Sequence, residues 1–189
     1  ELTMPEDVMI SAFSLEKQVE IGEAQAHDLA GSALTITNDA PDTFPLGDTV
    51  VTWNVSDELG NSSSSQQVIS VQPCGKPLSY YNQIFGTPAA DTIVGTEVAD
   101  LIFAFAGDDL IFGGEGNDCI IGGDGDDLIF GNAGSDHLVG GEGNDILKGF
   151  SGDDKLTGGT GTDVLDGGDD FDVSYDSASD IIIKCEEQL

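Results

Sequence analysis

The sequence predicts an all-β protein in which a small β-sandwich is followed by a flattened, parallel coil of very short strands. Two observations support this prediction. Residues 1–73 alternate apolar and polar side chains between turn signals, and residues 86–175 repeat a nine-residue unit rich in Gly, Asp and Ile or Leu. Alternation with period two is typical of half-buried strands, whereas a fixed repeat indicates one stacked architecture.

The charge of the chain limits what it can bind. Its 189 residues contain 36 Asp and Glu against 5 Lys, a formal net charge of −31. Such a chain repels itself unless it recruits cations, and it has no basic surface for nucleic acid or an anionic membrane. No apolar run approaches the roughly 18 residues that span a bilayer. We therefore expect no nucleic-acid partner and no membrane insertion. Because the chain begins with Glu1 rather than Met, we also expect a processed chain or an excised segment.

The first 73 residues are predicted to form short strands separated by turns. The strand segments are rich in Val, Ile and Thr, and turn-forming stretches such as Pro45-Leu46-Gly47-Asp48 separate them. The segments are residues 5–12, 19–28, 32–39, 49–57 and 64–72. We expect a small antiparallel sandwich with Trp53 in its core. Residues 74–85, broken by Gly and Pro, are expected to form a connector that caps the open end of the next domain.

From Gly86 the nine-residue register runs through ten repeats to Tyr175 without a slip. The first position is Gly in every repeat except that of Ala104, and the eighth is Ile or Leu until Ser174. The sixth position is always Asp: Asp91, Asp100, Asp109, Asp118, Asp127, Asp136, Asp145, Asp154, Asp163 and Asp172.

The composition of the repeat predicts how one unit folds. Glycine tolerates positive φ, so the first six residues make a tight turn. The last three make a short strand with one side chain inward, and two repeats then complete one winding. The Asp of one repeat therefore lies beside that of the second repeat along, as in Asp100 and Asp118. Stacked carboxylates repel unless a hard cation lies between them, and Ca²⁺ accepts about six to eight oxygen ligands.

We therefore predict about five to eight Ca²⁺ ions between the windings. Their expected ligands are the ten sixth-position Asp side chains, with sites at Asp91 and Asp172 incomplete because the end repeats depart from the pattern. Seventh-position side chains such as His137 and Cys119 are expected to face outward. The expected carbonyl ligands are those of Gly107, Gly116, Gly125, Gly134, Gly143 and Gly152.

Two family resemblances accompany these patterns. Residues 2–72 resemble a hyalin-repeat domain through Met4-Pro5-Glu6-Asp7-Val8, Phe44-Pro45-Leu46-Gly47 and Asp57-Glu58-Leu59-Gly60-Asn61. This resemblance implies an immunoglobulin-like sandwich that serves binding or spacing rather than catalysis. Residues 86–175 resemble the RTX calcium-binding β-roll through the pattern GGxGxDxUx, in which U is a large apolar residue. This resemblance implies a parallel β-roll with Asp side chains and turn carbonyls as calcium ligands.

Cysteines and glycosylation sequons suggest covalent features. Cys74 opens the connector and Cys119 lies on a strand of the coil, so we predict a disulfide between them, with Cys74–Cys185 as the rival pairing. Cys185 would then be a single thiol or bonded to another chain. The sequons are Asn54-Val55-Ser56 and Asn61-Ser62-Ser63, and Asn61 is the expected glycosylation site because it lies in a predicted turn.

The remaining sequence indicates a structural role. Residues 176–189, with Ile181-Ile182-Ile183, are expected to form a capping strand, or a strand lent to a neighbouring molecule. Two isolated histidines make no catalytic constellation, so we predict that the protein is not an enzyme. We expect a secreted, extracellular calcium-binding protein that self-associates into a filament or surface layer. The alternatives are an adhesin that binds glycans or a cell surface, and a non-catalytic C-terminal secretion module of a larger exported protein.

Overall fold

The computed structural model describes residues 2–27, 33–175, 179–185 and 187–188. The chain divides into two units, Glu1–Leu78 and Ser79–Leu189, and strands dominate both. The one helical element in the described ranges is the short 3-10 turn Leu78–Tyr80. No described helix has the length and apolar character needed to cross a membrane.

The N-terminal unit is built on one four-stranded sheet. The strands of this unit are β1 Leu2–Thr3, β2 Val8–Ala12, β3 Glu16–Lys17, β4 Gln25–Ala26, β5 Leu34–Asn38, β6 Phe44–Pro45, β7 Gly47–Asp57 and β8 Ser62–Pro73. The sheet order is β2-β8-β7-β5, with β7 antiparallel to β5 and β8, and β2 parallel to β8. Two short antiparallel ladders, β1 with β4 and β3 with β6, accompany it.

Trp53 lies in the core of this unit, as predicted. It is buried with Phe44, Val51, Ile69 and Val71. Its indole N–H donates a 3.0 Å hydrogen bond to Oε1 of the buried Gln67. The amide of Gln67 donates in turn to the carbonyl oxygens of Glu6 at 2.6 Å and Ile21 at 3.0 Å. The polar tip of the ring is therefore satisfied inside the core, as buried Trp requires.

Two expectations for this unit differ from the structure. The strand expected over residues 19–28 is limited, among the described residues, to Gln25–Ala26, because its partner β1 offers only two residues and Gly22 adopts a left-handed φ of 76°. The sheet is also not purely antiparallel, since β2 pairs parallel with β8. Alternation of polarity predicts a strand but carries no information about the direction of its neighbour.

The C-terminal unit is a coil of short parallel strands in two sheets. Its strands are β9 Asn82–Phe85, β10 Thr92–Val94, β11 Asp100–Ala106, β12 Leu110–Glu115, β13 Cys119–Asp124, β14 Leu128–Ala133, β15 His137–Glu142, β16 Ile146–Ser151, β17 Lys155–Thr160, β18 Val164–Asp169, β19 Val173–Tyr175, β20 Ile181–Ile183 and β21 Glu187–Gln188. The odd-numbered strands form a seven-stranded sheet and the even-numbered strands a six-stranded sheet. Residues Asn82–Phe85, expected in the connector, thus form the first strand of the coil, paired with β11.

From β9 to β19, neighbouring strands of one sheet are offset by 18 residues, which is two nonapeptides. Ile102 pairs with Ile120, and Ile111 pairs with Ile129. The eighth-position side chains form one apolar column, which half-buried Ile84 and Ile182 terminate. Two repeats therefore make one winding around a narrow core, as the repeat predicted. Within residues 176–189, the expected capping segment, Ile181–Ile183 forms β20, which pairs with β18 and extends the six-stranded sheet. Part of this segment lies outside the described residues.

The turns use left-handed backbone at the second and fourth positions of the repeat. Gly114 and Gly116, for example, both have φ of 116°. A side chain in this conformation costs roughly 1 kcal/mol or more. Four residues in the coil nevertheless replace glycine there with φ near 80°: Phe105, Asn132, Phe150 and Asp170.

Candidate metal centre

Two ladders of aspartates run along the coil. In eight of the ten, the backbone N–H of the Asp donates to Oδ1 of the Asp 18 residues later, at 2.7 to 2.9 Å. One ladder contains Asp91, Asp109, Asp127, Asp145 and Asp163; the other contains Asp100, Asp118, Asp136, Asp154 and Asp172. The first ladder continues to Asp180, whose Oδ1 accepts from the N–H of Asp163 at 3.0 Å. The structure thus brings all ten predicted Asp side chains into regular stacks.

In seven of these side chains the other carboxylate oxygen, Oδ2, is buried and accepts no hydrogen bond within the described part of the chain. They are Asp109, Asp118, Asp127, Asp136, Asp145, Asp154 and Asp163. An ionised carboxylate in such a position is strongly unfavourable unless a positive charge approaches it. The orphaned oxygens lie where successive windings stack, so the donor set fits a hard divalent cation.

First-position glycines keep space open beside these oxygens. A methyl group on Gly122 would collide with Oδ2 of Asp127 and lie 2.8 Å from the carbonyl oxygen of Gly140. One carboxylate oxygen and one carbonyl oxygen of the next winding therefore border the same space. The same arrangement recurs at Gly113, Gly131, Gly140 and Gly149. The sequence predicts only that glycine serves the turn conformation. The first-position glycines, however, do not have positive φ, and Ala104 occupies one of these positions, so backbone conformation does not explain the glycine there.

The fourth-position carbonyls, predicted as ligands, occupy a different place. The carbonyl oxygen of Gly107 faces the Cα of Gly125, and that of Gly116 faces Gly134. These carbonyls stack along the turn, whereas the first-position carbonyls border the space beside Oδ2. The ligand role of the fourth-position set stays a prediction. No three His, Cys, Asp or Glu side chains converge in the ranges described, so a bound cation would draw on backbone carbonyls as well.

Asp91 and Asp100 are already satisfied by protein groups. The N–H and hydroxyl of Thr96 donate to Oδ2 of Asp100 at 2.6 and 3.0 Å, and Thr87 does the same for Asp91 at 2.6 and 2.9 Å. The side-chain amide of Asn82 also donates to Oδ1 of Asp100 at 2.6 Å. The first two repeats therefore form a hydrogen-bonded cap. The signal was visible in the sequence, because only these two repeats carry Thr at the second position.

Burial raises the pKa of the aspartates. Desolvation is the largest cause, and the charges of neighbouring aspartates add to it, while the hydrogen bond from the backbone N–H opposes it. The pKa rises to about 6 for Asp127 and to about 7 for Asp118, Asp136, Asp145 and Asp154. The pKa values of Asp109 and Asp163 are also raised, mainly by burial. Without a cation, these side chains resist ionisation near neutral pH.

Seventh-position side chains differ in exposure, and Cys119 and His137 are among the more buried ones. Cys119 is completely buried, so the outer face of its strand is covered. Burial, with a smaller contribution from Lys155, lowers the pKa of the half-buried His137 to about 4. The Cys74–Cys119 disulfide stays a prediction. So does glycosylation of Asn61, an exposed residue whose side-chain amide donates to Oδ2 of Asp57 at 2.8 Å.

The repeats match a known family. Residues 85–119, 120–147 and 139–173 match the model of the RTX calcium-binding nonapeptide repeat. The C-terminal part is a parallel β-roll of RTX repeats. No curated protein matches the chain. The RTX roll is a structural, calcium-binding fold, which agrees with the orphaned carboxylate oxygens; the hyalin-repeat resemblance of residues 2–72 stays a prediction.

Proposed function

We propose that calcium folds the RTX roll and that the protein is an extracellular structural protein. The observation that supports this most directly is the set of seven buried Oδ2 atoms that have no hydrogen-bond donor among the described residues. Bound Ca²⁺ would supply the positive charge that these stacked carboxylates need. The residues that would hold it are the seven aspartates from Asp109 to Asp163, together with first-position carbonyls such as that of Gly140. Mg²⁺ suits the arrangement less well, because it requires near-ideal octahedral geometry and retains its water.

Extracellular localisation follows from the same physics. In a calcium-poor cytoplasm the repulsion between carboxylates opposes folding of a coil whose core is one side chain wide. Outside the cell, millimolar calcium would fold it, because a ligand that binds only the folded state stabilises that state. Folding after export would therefore be driven by the calcium gradient.

Far-ultraviolet circular dichroism tests this proposal. The chelated protein should lose most of the β signal of the roll, and Ca²⁺ should restore it at lower concentration than Mg²⁺. The signal of the N-terminal unit, which contains none of the aspartate ladders, provides the internal reference. A spectrum that is the same with chelator and with Ca²⁺ would refute calcium-driven folding.

The assembly that we favour is a filament or a surface layer. Strands β10 and β20 are the outer strands of the six-stranded sheet, so their edges can pair with another chain. Val94 and Ile181 on these strands are exposed apolar side chains. Electron microscopy of the protein before and after addition of Ca²⁺ should show ordered polymers only with Ca²⁺. Particles that remain monomeric with a folded roll would exclude self-assembly while leaving calcium-driven folding intact.

Two other roles remain candidates. An adhesin role fits the hyalin-like, immunoglobulin-like domain that we propose for residues 2–72, and a pocket described below favours it. A secretion module of a larger exported protein is the other candidate, because RTX repeats occur in secreted proteins. A longer gene product with a catalytic domain on the same chain would decide for the secretion module.

A further inference from the structure

The outer face of the six-stranded sheet carries a small pocket that the calcium sites do not use. The pocket has a volume of about 180 Å³ and is lined by Lys148, Phe150, Asp166, Gly168, Asp169 and Lys184. Two of the chain's five lysines are among these residues, and they balance two aspartates. A chain with a net charge of −31 thus has here a locally neutral site that combines cationic, anionic and aromatic groups.

Phe150 occupies a strained backbone position in this pocket. It stands at the second position of its repeat with φ of 80°, where the equivalent Gly141, Gly159 and Gly168 adopt φ of 130°, 115° and 114°. A side chain there destabilises the fold, and strain of this kind is concentrated at functional sites. Its ring is nevertheless 47% exposed. Folding alone therefore does not explain the aromatic residue at this position.

One side of the Phe150 ring is open. Phe130, on the preceding strand of the sheet, packs against it with ring centroids 5.9 Å apart. On the following strand, the residue in register with Phe150 is Gly168, which has no side chain to cover the ring. The arrangement leaves an apolar platform next to the polar groups of the pocket.

The polar groups beside this platform have unused hydrogen-bonding capacity. Lys148 lies opposite Asp166 in the strand register. Asp169, which also lines the pocket, is exposed and presents its carboxylate to solvent. A lysine ammonium is a donor only, and a carboxylate is an acceptor only, so together they match vicinal hydroxyl groups, which donate and accept at once.

We propose that this pocket binds one pyranose ring of a neutral glycan. The open ring of Phe150 would take the apolar face of the sugar, the exposed carboxylate of Asp169 would accept from a hydroxyl, and Lys148 and Lys184 would donate to ring or hydroxyl oxygens. The volume lies below the roughly 300 Å³ of sites for drug-sized ligands, which favours a single ring. An acidic sugar is disfavoured by the net charge of the chain. The proposal rests on the calcium-folded roll, but not on any assembly.

Saturation-transfer NMR on the full calcium-loaded chain provides the test, with the methyl glycosides of glucose, galactose and mannose as probes. At least one probe should receive saturation at its ring protons. Phe150→Gly should weaken that binding about tenfold, because it removes the stacking platform. The matched control is Phe105→Gly. This variant relieves the backbone strain of the same φ of 80° at the same repeat position on the other sheet, and it should leave binding unchanged.

Lysine variants test the same binding site without changing Phe150. Lys148→Gln should also weaken binding, whereas Lys155→Gln, an exposed lysine on β17, should not. Circular dichroism with Ca²⁺ must show a folded roll in each variant, which separates failure of this site from failure of calcium-driven folding. Absence of saturation for all three sugars on the folded protein would overturn the proposal. So would tighter binding of glucuronate than of methyl glucoside, or equal binding by Phe150→Gly.

Discussion

The backbone N–H of Asp118 donates a 2.8 Å hydrogen bond to Oδ1 of Asp136, while Oδ2 of Asp136 is buried without a hydrogen-bond donor among the described residues. Half of the carboxylate is therefore satisfied by the neighbouring winding, and this bond fixes its orientation. The other half requires a cation or a proton. Because the same relationship recurs along both ladders, the stability of the roll depends on what binds the Oδ2 atoms.

Substitution of Asp136 by Asn should uncouple folding from calcium at one site. Asn keeps the Oδ1 acceptor and places an amide N–H where Oδ2 lies, beside the Gly149 carbonyl oxygen. The calcium-free variant should be more stable than wild type, because a buried charge is gone. The calcium concentration at its folding midpoint should rise at least about tenfold, since a charged contact contributes roughly 1.5–3 kcal/mol. Calcium titration followed by circular dichroism measures both effects.

Asp91→Asn is the matched control for that experiment. Asp91 belongs to the other ladder, and its Oδ2 already accepts from the N–H and hydroxyl of Thr87. Its calcium midpoint should remain that of wild type. Equal shifts in both variants would show that the loss of any acidic charge, rather than of an orphaned oxygen, controls calcium-driven folding.

Gly131→Ala should destabilise the calcium-loaded roll. The added methyl group would collide with Oδ2 of Asp136 and approach the Gly149 carbonyl oxygen to 3.1 Å. Overpacking of this kind costs about 1–3 kcal/mol, and thermal unfolding in Ca²⁺ measures it. The control is Ala104→Gly at the one first position that already carries a methyl group, and it should not reduce calcium binding. If Gly131→Ala were as stable as wild type, the first-position glycine would not be needed to keep the space beside Oδ2 open.

The structure of the roll could be predicted from the nine-residue repeat. The N-terminal unit has no such repeat, so its strand pairing was less predictable. Pairings such as Ile111 with Ile129 follow from a fixed period of nine, because every repeat must satisfy the same register. The short extent of β4 depends instead on which distant segment lies beside it, and local alternation does not encode that neighbour. Sequence also could not show that first-position glycines make room for Oδ2, since that requires the three-dimensional position of the next winding.

Thr96→Val should weaken the N-terminal cap of the roll irrespective of calcium. Valine keeps the shape of the side chain but removes the hydroxyl that lies 3.0 Å from Oδ2 of Asp100. A buried carboxylate deprived of a donor costs about 1–3 kcal/mol. The loss in free energy of unfolding should be similar at low and saturating Ca²⁺, as measured by chemical denaturation. Thr96→Ser, which retains the hydroxyl, should restore most of it; a loss that excess Ca²⁺ fully repairs would instead place a cation at Asp100.

A disulfide between Cys74 and Cys119 is expected from the sequence. Closing a loop of this length contributes about 4 kcal/mol in the chain-entropy model. Alkylation of the denatured, unreduced protein should modify one cysteine, and alkylation after reduction should modify all three. Peptide mapping should then find Cys74 linked to Cys119. A peptide that links Cys74 to Cys185, or three reactive thiols without reduction, would contradict the pairing.

The calcium-free roll should become more stable on acidification. Burial raises the pKa of Asp118 and Asp136 from 3.8 to about 7, so the folded state binds more protons than the unfolded chain between about pH 4 and pH 7. The free energy of unfolding therefore falls as the pH rises through this window. His137, with its pKa lowered to about 4, opposes the trend with a single group. In saturating Ca²⁺ this dependence on the carboxylates should disappear, because the cation holds them ionised in the folded state, as they already are in the unfolded chain above about pH 4. The thermal unfolding midpoint should therefore fall from pH 5 to pH 8 with chelator and change little with Ca²⁺. An equal fall under both conditions would mean that the buried carboxylates are not the groups that bind calcium.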